Sequence, residues 1–286
     1  MTEQTNLPPE EEEKDMSFLQ HLEILRWHLI RSAIVILVSA IAAFVAKGLV
    51  FGKIIMGPKS ADFITYQWLC QVSKDLSAQF PGLIAEDAIC IGQNLPNLVN
   101  YDMSGQFTTH IMVSIIAGLV VSFPYIMWEV WRFIKPALKS PEKRYSRGVV
   151  FFTSLLFACG VLFGYFIICP LSVNFFLNYQ VDPRVPTFPQ LSSYISLVTS
   201  IVMATGIVFE LPIIVFFLSK TGLVTPQLLK KYRRHAFVFS LVLSAIITPP
   251  DVFSQLLVSV PLVVLYEVSI FISKMVLKKK KNSDVY

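Results

Sequence analysis

Reactive or ligand-binding side chains are concentrated in a few places along the chain. Glu210 lies in the apolar run Gly206-Ile-Val-Phe-Glu-Leu-Pro212. A carboxylate with no water around it must find a proton, a partner or a cavity. Asp251 follows two prolines in Thr248-Pro-Pro-Asp251, where an acid can cap the start of a helix and meet its positive dipole end. Glu142 is the lone acid beside Lys143, Arg144 and Arg147. Glu23 and Arg26 flank an apolar stripe of Phe18, Leu22, Leu25 and Leu29 at helical spacing. Ser17 with Gln20 forms a capping-box signature ahead of that stripe, which reads as a short amphipathic helix. The four histidines, His21, His28, His110 and His235, have no metal-ligand spacing, so neither a metal nor a cofactor is expected. There is no phosphate-cradling glycine loop, nucleophile elbow or HExxH, which argues against an ATPase, hydrolase or metalloprotease and for a protein that is not an enzyme.

The elements that carry these residues follow from composition. Of 286 residues, 54% are hydrophobic and 15% charged, and the mean hydropathy is +0.62. Soluble domains carry roughly 25% charged residues. A polytopic membrane protein of the all-α class follows, because the apolar runs are long and continuous rather than short and alternating. Six spans are expected, at about 29–50, 108–131, 148–169, 194–218, 236–248 and 253–272. The fifth is short for a hydrocarbon layer of ~30 Å, so it needs a thinned bilayer or shielding neighbours. Residues 1–16 are acidic and proline-containing and read as a disordered tail; 17–275 hold the membrane domain, and 276–286 form a basic tail. That tail is expected to touch anionic lipid rather than nucleic acid.

Lys and Arg number three in the N-terminal segment up to Arg31, four from Lys47 to Lys74, then six, one, five and none in successive loops, and five in the tail. This alternation places both termini in the cytoplasm. A cleaved signal peptide is a poor alternative for span one, since the leader is long and acidic. Cys70 and Cys90 then fall in an outer loop, where the compartment permits a disulfide; spacing does not decide whether their Cα atoms come within ~7 Å. Cys159 and Cys169 read as small packing residues in span three. Along span four, Ser196, Thr199, Met203, Gly206 and Glu210 share one face, and Pro212 is expected to kink the helix beside Glu210. Two readings of Glu210 stand: a group facing a cavity, or a protonated link between helices. Glu267, nearer the cytoplasm on span six, is placed to pair with a loop cation.

Several blocks together resemble the TatC family of the twin-arginine protein translocase. They are His21-Leu-Glu-Ile-Leu-Arg26, the stretch from Ser122 to Arg144, Phe157 to Pro170, Phe209-Glu-Leu-Pro212, Thr248-Pro-Pro-Asp-Val-Phe-Ser-Gln255 and Leu265-Tyr-Glu267. The resemblance implies six helices in a concave, cup-like bundle in the bacterial inner membrane. It implies a receptor for signal peptides bearing paired arginines, acting with single-span TatA and TatB partners and with further copies of itself. Folded proteins would cross at the expense of the proton-motive force. The implied signal-binding residues are Glu142, Glu23, Arg26, Phe133, Lys143 and Arg144. Glu210, with Gln255 on a neighbouring wall, would face the concave interior. A guanidinium offers a planar donor fork that a carboxylate accepts in bidentate fashion and that lysine cannot reproduce, so acids at the cytoplasmic surface suit the task. The chain departs from the family pattern HLxELR: Ile24 stands where the pattern has its acid, and Glu23 precedes it. The competing reading, a proton-coupled solute carrier using Glu210, lacks the internal repeats expected of carriers.

Overall fold

A computed structural model of the chain describes residues 18–79, 90–93, 95–134, 146–182, 184–185, 187–248 and 252–283. Among the described residues it is helical, with one isolated parallel bridge between Val99 and Gln190 and no strand. The helices are α1 (Phe18–Val45), α2 (Ile64–Gln79), α3 (Gly105–Ile134), α4 (Ser146–Phe163), α5 (Cys169–Asn178), α6 (Leu191–Val208), α7 (Leu211–Lys220), α8 (Pro226–Lys231), α9 (Arg233–Ile247) and α10 (Val252–Ser283).

Among the described residues, five segments are long and apolar enough to cross a bilayer: Leu22–Val45, Gly105–Ile134, Gly148–Asn178, Leu191–Lys220 and Ser254–Leu277. The expected fifth span is the 15-residue α9. At 1.5 Å per residue it reaches only ~22 Å, short of a ~30 Å layer. Other boundaries also move. The expected lead-in and span one are one continuous helix, because no glycine or proline interrupts 18–45. A π-helical turn, Gly48–Ile55, follows it. Span three extends to Asn178 through α4, a π-turn at Gly164–Ile168 and α5. Pro170 at the start of α5 lacks an N–H, which frees the carbonyl four residues back. Thr65 Oγ1 donates to that carbonyl, Phe166 O. Span four breaks between α6 and α7, with Pro212 in the first turn of α7. The helix of span six runs on past residue 275 to Ser283.

α1 and α3 form an antiparallel hairpin, the most extensive helix pairing in the fold. Small residues allow it. A Cβ on Gly118 would come within 2.6 Å of the Ala40 backbone nitrogen, and Ser122 Oγ donates to Ser39 Oγ at 3.0 Å. α4 packs on α6 in the same way, with Gly206 set against the Phe157 ring. Phe157 in turn stacks on Phe123, ring centroids 3.6 Å apart. The buried apolar core gathers Val113, Ile168, Val173, Ile195, Val198 and Val258 from α3, the π-turn, α5, α6 and α10.

The bundle has two distinct ends. At one, Trp131 of α3 meets Phe217 of α7 at 5.3 Å, and Ser219 of α7 donates to Ser273 of α10 at 2.7 Å. Arg132, Lys220, Lys230, Lys231, Arg233 and Lys274 belong to this basic end. At the other end the connecting segments form a cap. Tyr66 of α2 is buried, and its hydroxyl lies 2.8 Å from Pro58 O and 3.0 Å from Pro170 O. Burial pushes the Tyr66 phenol well above the usual tyrosine range. Tyr194 Oη donates to Ile55 O at 2.7 Å. A disulfide joins Cys70 to Cys90 with Cα atoms 4.3 Å apart, inside the distance a bridge needs. Asp182, half-buried in the same cap, is held below the usual carboxylate range by the Arg184 guanidinium. Cys169 is buried, but Cys159 is exposed on the outer wall, so the packing role expected for it does not hold.

Candidate functional site

At the basic end, α1 and α3 are locked by a buried polar cluster. Glu129 sits in Trp128-Glu-Val-Trp131 and is 1% exposed. His28 of α1 pairs with its Oε2 through Nδ1, and Tyr125 Oη donates to Oε1 at 2.9 Å. Tyr125, Glu129 and Phe133 are four residues apart and therefore share one face of α3. The Phe133 ring lies edge-on to the His28 ring at 6.0 Å. Arg31 adds positive potential at the Glu129 carboxyl, and Arg31 and Arg132 add it at the Tyr125 hydroxyl. One carboxyl group thus holds two helices together near the end of α3, just ahead of residue 135.

This lock fixes the rotation of α1. At ~100° per residue, Ile24 lies near the face that carries His28, whereas Glu23 and Arg26 point more than ~130° away from it. Burial agrees: Ile24 is half-buried, and Glu23 and Arg26 are exposed. The Arg26 guanidinium lies 5.8 Å from the Trp27 ring centroid. So the structure joins Phe133 to the α1 face that bears His28, and it does not bring Glu23 or Arg26 onto that face. Glu142, Lys143 and Arg144 lie outside the described residues.

The remaining candidate residues are spread along α6 to α10. Glu210 occupies the break between α6 and α7. Both its carboxylate oxygens are shielded, and neither finds a hydrogen-bond partner among the described residues. Its expected stripe is uneven: Thr199 and Gly206 are buried, but Ser196 is exposed. Gln255 of α10 donates to Leu241 O of α9 at 3.3 Å. Glu267 of α10 pairs with Arg233 at the start of α9. Tyr266 Oη donates to Leu229 O of α8 at 2.8 Å. Gln255, Tyr266 and Glu267 therefore fasten α8 and α9 to α10. Asp251 lies outside the described residues. Among the described residues, no group of three His, Cys, Asp or Glu side chains is placed to hold a metal.

The family model for the Sec-independent protein translocase protein TatC matches residues 20–261, from α1 to the first part of α10. The chain belongs to the TatC family. It is 40% identical over 269 residues to the TatC of Blattabacterium from Periplaneta americana, covering 94% of this chain and 99% of that one. It is 32% identical over 273 residues to the TatC of Desulforapulum autotrophicum, covering 96% and 89%. Two crystal structures of the twin-arginine translocase receptor TatC match it. One has a TM-score of 0.60 at 31% identity, covering 90% of this chain and 99% of that one. The other, in DDM, has a TM-score of 0.64 at 33% identity, covering 88% and 99%. As a TatC, the protein is a multi-pass membrane component of the protein-transport machinery, and the solute-carrier reading of Glu210 loses its footing.

Sequence reasoning singled out neither Glu129 nor the His28 contact in this TatC chain. A signal was present. Glu129 follows an apolar run and stands four residues from both Tyr125 and Phe133. An acid embedded among aromatic residues at helical spacing must be buried with a partner.

Proposed function

We propose that the chain is the receptor subunit of a twin-arginine translocase in a bacterial inner membrane. Its basic end faces the cytoplasm, and both termini lie there. Signal peptides bearing paired arginines dock where α1 meets the start of the 135–145 loop. Glu142 accepts a guanidinium, Phe133 packs against the peptide, and Lys143 and Arg144 set the local field. Glu23 and Arg26 approach from the outer side of α1. Six helices form a concave bundle, with α9 crossing a thinned part of the bilayer and Glu210 on the concave wall beside Gln255. TatA- and TatB-type single-span subunits and further copies of the chain complete the machine, and the proton-motive force drives transfer of folded cargo.

The observation that supports this reading is the α1–α3 hairpin, which seats α1 against Glu129 and Phe133 near the end of α3, nine residues before Glu142 in sequence. The test is photo-crosslinking of a twin-arginine peptide to probes scanned through 17–31 and 128–147. Crosslinks should cluster at these positions and fall strongly in Glu142→Ala. They should also fall when both peptide arginines become lysines, because lysine cannot form the fork. Equal docking of the lysine peptide would overturn the reading.

A further inference from the structure

The buried cluster at the basic end has a role beyond holding helices together. A carboxylate in a membrane-embedded helix costs several kcal/mol unless it is paired, and a hydrophobic pair of similar volume would pack α1 on α3 at lower cost. What a buried polar pair adds is specificity of register and rotation. Here that specificity bears on the docking surface. His28 points at Glu129, so α1 can present only one face to α3. Tyr125 fixes the second carboxylate oxygen, which leaves the Glu129 side chain no freedom to follow a rotated α1. Phe133, one turn beyond Glu129, rests edge-on against the same His28 ring.

We propose that His28, Glu129 and Tyr125 form a positioning cluster for the signal-peptide site. The cluster sets the rotation of α1 and the seat of Phe133, and through them the surface that a twin-arginine peptide meets. The inference rests on the receptor reading and deepens it. None of the three residues touches the peptide. Arg31 is the other charged group acting on the Glu129 carboxyl, and Arg31 and Arg132 both act on the Tyr125 hydroxyl that donates to it.

The experiment measures the affinity of a fluorescent twin-arginine peptide for the full-length chain in liposomes. His28→Leu and Glu129→Leu should each weaken binding by about tenfold or more, the scale on which removing an orienting partner weakens metal sites. The exchanged pair, His28→Glu with Glu129→His, should restore most of the affinity. Glu129→Gln keeps an acceptor for Tyr125 and should remain within about threefold of the parent, less than the ~1 kcal/mol net value of one hydrogen bond. It also reads the question if the leucine variants fail to accumulate. Tyr66→Phe, which weakens the opposite end of the fold, should lower thermal stability without changing affinity; this separates positioning from general destabilisation. Parental affinity in both leucine variants, or a loss that the exchange does not restore, would overturn the inference. Glu142→Ala, run alongside, separates the two ideas. If it abolishes binding while the leucine variants bind normally, only the positioning role fails. If it binds normally and the lysine peptide also binds, the receptor reading fails.

Discussion

At the scale of single residues, the departure at Glu23 and Ile24 has a geometric consequence. One residue turns a helix by ~100°, so an acid at 23 cannot stand in for an acid at 24 by position alone. Ile24 is half-buried near the His28 face, and Glu23 is exposed away from it. An acid introduced at 24 would point toward the loop entrance. Ile24→Glu should therefore strengthen twin-arginine peptide binding by about two- to fivefold, the range of a solvent-exposed ion pair. Glu23→Ala should change it less. Titration of labelled peptide decides, and a stronger effect from Glu23→Ala would place Glu23 in the site. Part of this was legible in the sequence, because the altered spacing is visible in His21-Leu-Glu-Ile-Leu-Arg26. The face each residue occupies was not, because it depends on Glu129, a residue 101 positions from His28.

At the scale of elements, hydropathy located the long helices but not how they end or bend. The continuity of α1 follows from an uninterrupted run of helix formers. The π-turns at Gly48–Ile55 and Gly164–Ile168 make long-range contacts that hydropathy does not encode: Tyr165 Oη donates to Ile54 O, Tyr194 Oη to Ile55 O and Thr65 Oγ1 to Phe166 O. Tyr66 shows how that cap is held. Its hydroxyl lies between carbonyls of the turn at Pro58 and of α5 at Pro170, so one side chain ties three elements. Tyr66→Phe should cost about 1 kcal/mol, the net worth of a hydrogen bond. Its pH dependence has a definite sign. The folded phenol is raised above its unfolded value by burial. The stability it contributes is therefore full below pH ~10 and is lost as pH rises beyond it. Between about pH 9 and pH 11 the parent's melting temperature should fall further than that of Tyr66→Phe. Parallel curves would remove Tyr66 from the alkaline transition.

At the scale of the whole molecule, the open question is whether α9 crosses the membrane. Its hairpin geometry with α10 is clear. Arg233 pairs with Glu267 at the basic end, and Leu241 receives Gln255 further in, so the two helices run antiparallel. At ~22 Å, α9 is about 8 Å short of an unperturbed bilayer core. Two outcomes differ physically: either the bilayer thins to meet the end of α9, or α9 ends within the hydrocarbon. The second would leave the last carbonyls of α9 without water, an expensive arrangement unless protein covers them. Thinning is therefore the favoured outcome, and single cysteines read by a membrane-impermeant maleimide test it. In intact cells Met103→Cys, fully exposed on the cap, should label, and Lys231→Cys should label only after permeabilisation. Asp251→Cys should label with Met103→Cys, giving six crossings. Labelling of Asp251→Cys from the Lys231 side would make α9 and the start of α10 a re-entrant hairpin. Labelling of Lys231→Cys in intact cells would invert the whole bundle and put the basic end outside.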